Sequence, residues 1–129
     1  MKKVLLLIIG VFFLTACSGG NNKVTIYTPD TNNQAPTVTY EKAKELIDNG
    51  AILIDVRTIE EYNEKHIDGS ILLPLDSINE QTTKDKILTK ETTVIVYCRS
   101  GNRSSQAGIK LKQLGYTNVY DLGSIDNWK

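Results

Sequence analysis

Hydrophobic positions along this chain fall into two spacings. "AILIDV" (51–56) and "TTVIVY" (92–97) are short, nearly continuous apolar runs, the second rich in β-branched residues; both read as strands buried on two faces. "NVYDL" (118–122) is a further strand, and "SILLPL" holds another that stops at Pro74. Between these runs the apolar positions recur every three to four residues. Over 40–49, Ala43, Leu46 and Ile47 share one helical face, with Thr39 as cap and Gly50 at the end. "TIEE" reads as a capping box in which Thr58 and Glu61 answer each other, so a short helix runs to about residue 65. A weaker helix over 79–88 and a clearer one over 103–114, ended by Gly115, complete the series. Strands alternating with helices predict an α/β domain with a central parallel sheet and helices on both faces. Ligand sites in such sheets lie beyond the carboxyl ends of the strands, and Cys98 falls at one of them.

The first 36 residues break this pattern. Two lysines precede an apolar run over 4–14, which as a helix spans roughly 16 Å, about half of a bilayer's hydrocarbon core. That length fits a signal-peptide core rather than a membrane-spanning helix. The run ends in "LTAC", and this resembles a bacterial lipoprotein signal, in which the cysteine carries a diacylglyceryl group and becomes the first mature residue. The chain then divides into a signal over 1–16, a lipidated N-terminus and linker over 17–36, and a domain over 37–129. Within the linker "KVTIYT" has the pattern of a short strand, flanked by Asn, Thr, Gly and Pro. The resemblance implies an extracytoplasmic protein held to a bacterial membrane through lipid on Cys17 only. An ordinary secretory signal cut after Ala16 is the alternative.

Composition narrows the function classes. The 129 residues suffice for one domain, and 40% hydrophobic with 23% charged is ordinary for a globular protein. Formal net charge is zero; loss of Lys2 and Lys3 with the signal leaves 13 of the 15 basic residues against 15 acidic ones. Nothing there argues for nucleic acid or for electrostatic capture on a membrane. Cys17 and Cys98 are the two cysteines, and no C-x-x-C points to a dithiol centre or a zinc ribbon.

The chemistry concentrates in "VYCRSGNRS" (96–104), where a thiol stands at a strand end and a helix follows within a few residues. Backbone N–H groups of such a loop can turn inward as an anion-binding nest. The helix N-terminus adds roughly half a positive charge, and Arg99 and Arg103 add full ones. Gly101 permits backbone angles closed to other residues. Ser100, Asn102, Ser104 and Ser105 offer polar side chains to the loop or to an anion. Such an electropositive setting favours thiolate over thiol without a neighbouring histidine. A buried structural cysteine is the bland alternative.

"IDVRTIEEY", "HIDGSILLPL", "VIVYCRSGNRS" and "LGYTNVYDLGSIDNWK" together resemble a single-domain rhodanese over about residues 37–129. The resemblance implies a three-layer α/β/α domain around a parallel sheet. It implies sulfur transfer through a persulfide on Cys98, held by the amides of Arg99, Ser100, Gly101, Asn102 and Arg103. The donor would be a small sulfur-containing anion such as thiosulfate, the acceptor cyanide, a thiol or a protein, and neither metal nor organic cofactor is needed. Asp55 and Arg57 match as polar groups at a strand end, with Arg57 near enough to approach the loop. Asp68 stands where family members often carry proline, and Gly123-Ser124 where they often carry two glycines.

Three other readings compete. Cysteine phosphatases and arsenate reductases use a C-x5-R loop, whereas Arg103 follows Cys98 after four residues and Ser104 occupies the phosphatase arginine position. A non-catalytic rhodanese-like binding module commonly lacks the cysteine that this chain retains. A Cys-His hydrolase would need His66 as base, and His66 is better placed to anchor its own loop. Glu60 and Glu61 read as first-turn capping and surface acids, and Tyr116 and Trp128 as core or site wall.

Overall fold

A computed structural model describes residues 33–129. The signal over 1–16, Cys17, "KVTIYT" and most of the expected linker lie outside the described residues. The elements are α1 (Tyr40–Asp48), β1 (Ile52–Asp55), α2 (Ile59–Glu64), β2 (Ile71–Leu72), α3 (Glu80–Lys86), β3 (Val94–Cys98), α4 (Asn102–Gln113) and β4 (Val119–Ser124). 3-10 turns occupy Leu75–Ser77 and Ile125–Asn127. Side chains set the helix starts: Thr39 accepts from the Lys42 amide, and Thr58 and Glu61 form the reciprocal box expected of "TIEE". Asn79 caps α3 in a similar box with Thr82.

The four strands are all parallel in the order β2-β1-β3-β4. Period-two alternation divides β3 between two cores. Val94, Val96 and Cys98 face a cluster that includes Ala107, Leu111 and Ile87 around α3 and α4. Ile95 and Tyr97 face the opposite cluster, with Ala43, Leu46 and Ile47 of α1. The architecture is therefore three-layered α/β/α. The connection from β1 runs outward to β2, and the next strand returns to the other side of β1. The order thus reverses between β1 and β3, and the crevice at their carboxyl ends is where such sheets take ligands.

Boundaries shift in ways that matter locally. β3 ends on Cys98 itself, and α4 begins one residue before the expected Arg103. β2 shrinks to two residues: it pairs only with Ile54 and Asp55 before Pro74 and the 3-10 turn divert the chain, and as an edge strand it has no second neighbour to extend it. The packed chain reaches back to Ala35, two residues before the expected domain start. Ala35 is buried against Gly108 of α4, where a Cβ would stand 2.8 Å from the Ala35 Cβ.

One polar network ties the strand ends together. The Asp55 carboxylate is fully buried. It accepts from the Arg57 amide at 2.9 Å, from Arg57 Nε at 3.0 Å, from Arg57 NH2 at 2.7 Å and from the Tyr97 hydroxyl at 2.7 Å. Tyr97 in turn accepts from the Ile67 amide at 3.1 Å and pairs with Ser70 Oγ at 3.0 Å. Arg57 NH2 also donates to the Lys65 carbonyl at 2.6 Å. Burial pushes the Tyr97 phenol up to about 12, so it stays a neutral donor at physiological pH. Tyr97→Phe, which strips this oxygen from three partners, is expected to lower unfolding free energy by about 1–3 kcal/mol. Asp55→Ala, which leaves Arg57 buried without its counter-charge, should cost about 3–5 kcal/mol. Urea titration of both variants checks the order.

Candidate active site

Cys98 closes the central strand and has no exposed surface. Its Sγ lies on the side of the α3/α4 core, and the Gly101 amide donates to it at 3.0 Å. The turn that makes this contact depends on Gly101, which adopts φ +99° as the residue preceding α4. A side chain at that angle is strained. The Gly101 carbonyl is occupied as well, accepting from the Ser105 amide at 3.1 Å and from Ser104 Oγ at 3.0 Å. Ser104 is fully buried, and its hydroxyl bonds the turn from inside. Across the sheet a register shift after Val96 sets Ser124 opposite Cys98. Ser124 Oγ donates to the Arg99 carbonyl at 2.6 Å and pins the first residue of the loop.

The remaining loop residues differ in what they are free to do. Arg99, Ser100 and Asn102 are exposed. Asn102 Oδ1 accepts from Gln106 at 2.8 Å along the helix surface. Arg103, expected to add a full positive charge to the loop, is itself paired. It makes a two-pronged ion pair with Glu61, NH1 to Oε2 at 2.7 Å and NH2 to Oε1 at 2.8 Å. The capping box explains this: Oε2 already holds the Thr58 amide at 3.0 Å, which fixes the carboxylate plane for the guanidinium fork. Hydrogen bonding to Arg103 draws the Glu61 carboxyl down to about 2. Arg103 is raised, first by that hydrogen bond, against desolvation, with a smaller attraction from the charge of Glu61.

Asp55 and Arg57 stand at the end of the neighbouring strand, held by the network described above. Arg57, Arg99 and Glu61 share the wall of a cleft of about 230 Å³ beside the loop. His66 is exposed; its Nδ1 bonds the Tyr62 carbonyl at 2.8 Å and its ring stacks on Tyr62 at 3.8 Å, an anchor for the 65–70 loop. Tyr116 is buried in the first core, while Trp128 packs on the second and meets Tyr40 edge-on at 5.0 Å. The sequence reading missed Glu61 and Ser124 as loop supports, and Tyr97 as the link behind Cys98. Strand alternation carries a signal for Tyr97, since it must face the core opposite to Cys98.

The fold that presents this loop has relatives among known proteins. Residues 39–129 match the rhodanese-like domain family. The chain belongs to that family. Thiosulfate sulfurtransferase PspE of Escherichia coli is 39% identical over 72 residues, which cover 56% of this chain and 68% of PspE. Adenylyltransferase and sulfurtransferase uba4 of Ogataea parapolymorpha is 40% identical over 77 residues, but the chain spans only 19% of its length. A solved Escherichia coli structure described as rhodanese with anions superposes with a TM-score of 0.56 at 36% identity. That superposition covers 60% of this chain and 91% of the other. The fold is thus that of a rhodanese domain, and its relatives include thiosulfate sulfurtransferases.

The Arg103–Glu61 pair has a pH signature. The folded Glu61 carboxyl titrates about 2, against 4.5 for the free side chain. Its stabilisation is complete above the higher value and is lost as pH falls toward the lower. The Arg103 and Glu61 side chains keep 32% and 21% exposure, so solvent and salt limit the pair to on the order of 1 kcal/mol. Glu61→Gln should therefore destabilise modestly at neutral pH and flatten the acid limb of stability over that interval, as followed by thermal melts across the pH series.

Proposed function

We propose that this rhodanese domain is a sulfurtransferase whose Cys98 carries the transferred sulfur as a persulfide. The observation that supports this most is the Gly101 N–H directed at Sγ from the turn that opens α4. A donated hydrogen bond and the positive end of a twelve-residue helix both favour negative charge on that sulfur. The thiolate attacks the outer sulfur of a donor such as thiosulfate. A Cys98 Sγ–S bond forms, the donor's S–S bond breaks, and sulfite leaves with the electron pair. An acceptor, cyanide or a thiolate, then attacks the outer sulfur and returns the pair to Sγ. Neither step calls for a general acid, because both leaving groups are stable anions. Arg99, Ser100, Gly101, Asn102 and Arg103 form the anion loop, and Arg57 and Asp55 hold the adjacent strand end. Sγ has no exposed surface at rest. Ser104, where a phosphatase loop has arginine, is buried and bonded to Gly101, which disfavours phosphoryl chemistry.

In the same reading residues 1–16 are a lipoprotein signal and Cys17 is lipidated. Residues 17 to about 34 form the tether of a domain that works outside the cytoplasm at a bacterial membrane. Two acyl chains would suffice for stable anchoring. After incubation with thiosulfate, the peptide containing Cys98 should gain the mass of one sulfur atom. Cys98→Ser should lose that gain and all thiosulfate:cyanide activity above background, with an unchanged circular dichroism spectrum. A wild-type protein that never acquires the sulfur overturns the proposal. Cys17→Ala in the full chain should move the protein from the membrane to the soluble fraction; retention in the membrane would refute lipid anchoring.

A further inference from the structure

The register that sets Ser124 opposite Cys98 is itself fixed by side chains. Gly123 takes φ +79°, its amide donates to Asp121 Oδ1 at 2.8 Å, and Asn127 Nδ2 holds the Leu122 carbonyl at 2.8 Å. The Gly123 Cα then lies 3.7 Å from where a side chain on Gly101 would begin, so β4 packs against the turn whose amide meets Sγ. Ser124 Oγ accepts from the Asp126 amide at 3.1 Å. That bond orients the hydroxyl, and its single proton goes to the Arg99 carbonyl at 2.6 Å.

The other edge of that peptide bears the consequence. In a trans peptide the carbonyl and the following N–H point in opposite directions. With the Arg99 carbonyl held toward β4, the Ser100 N–H faces away from β4. Among the described residues this N–H has no protein acceptor, and Ser100 is exposed. It directly precedes the Gly101 N–H that donates to Sγ at 3.0 Å. If the Arg99–Ser100 peptide turned over, a carbonyl oxygen would take the place of the N–H, and a donor would become an acceptor that repels anions. Building on the sulfurtransferase reading, we infer that Ser124 is a positioning residue for donor binding: it locks this peptide with its N–H available to an incoming anion such as thiosulfate. Ser124 itself touches no substrate and acts through the Ser100 amide. The lock is made in the unloaded protein, so no reorganisation is needed when the anion arrives.

The test follows the two half-reactions separately in the purified full chain. kcat/KM for thiosulfate reports the loading of Cys98, and kcat/KM for cyanide its unloading, which starts from sulfur already bonded to Cys98. Ser124→Ala and Ser124→Gly should each lower the thiosulfate ratio by about three- to tenfold and keep the cyanide ratio within about twofold. Ser124→Thr keeps the hydroxyl on a backbone already extended (φ −78°, ψ 142°) and should restore the thiosulfate ratio. Asn127→Ala frees the Leu122 carbonyl and loosens the end of β4 while leaving the Ser124 hydroxyl in place. It should lower the melting temperature and leave both ratios unchanged. With Cys98 loading normally, the positioning role alone is overturned by any of four results: a thiosulfate ratio unmoved by Ala and Gly, an equal fall in both ratios, the same fall in Asn127→Ala, or no recovery in Ser124→Thr. No loading of wild-type Cys98 overturns the sulfurtransferase reading and the positioning role with it.

Discussion

A carboxylate with no access to water must be surrounded by donors, and Asp55 meets that requirement with two strands and a loop. Its partners come from its own strand end, from Tyr97 on the neighbouring strand and, through Tyr97 and Arg57, from residues 65–70. Losing any one of them leaves the buried charge short of a donor that water cannot replace. The consequence reaches Cys98 through covalent geometry. Tyr97 is locked to one face of the sheet, so the next residue must project to the other, where the loop amide waits. The Cys98 sulfur is therefore aimed from behind by a group that never touches it.

Two forces then compete over that sulfur. Strand alternation places it in an apolar core beside Ala107 and the valines of β3, which disfavours charge. The Gly101 amide and the start of α4 oppose that tendency. Ser104 and Ser124 decide how firmly the opposing side holds. One seals the turn from beneath, and the other fastens the Arg99 carbonyl across the sheet. Arg103, in the first turn of α4, is itself restrained by its two-pronged pair with Glu61.

Local rules were enough for much of this. The α1 face of Ala43, Leu46 and Ile47, the Thr58 cap and the doubly buried β3 follow from spacing alone, because each is decided within a few residues of chain. What escaped was decided across the fold. A glutamate at the third helical position announces a capping box, but its outer carboxylate edge is claimed by an arginine 42 residues on. "SILLPL" looks like a full strand, yet β2 can extend only as far as its lone neighbour pairs with it. Ala35 reads as linker in a run of Asn and Gln. It is drawn into the core by Gly108, whose missing side chain is visible in the sequence but whose counterpart is not. Ser124 acquires its partner only through a slip in strand register.

That docking of Ala35 also governs how the sheet ends. Beyond it the chain turns along β4, where the Pro36 carbonyl and the Val38 amide take up both backbone groups of Asp121 at 2.9 Å. The Gly123 amide is satisfied by the Asp121 side chain, and the Leu122 carbonyl by Asn127. An outermost parallel strand would otherwise offer a ladder of unmet donors and acceptors to any neighbouring copy. Here a few residues ahead of the first helix blunt it, so this side of the sheet is poorly placed to accept a strand from a neighbouring copy.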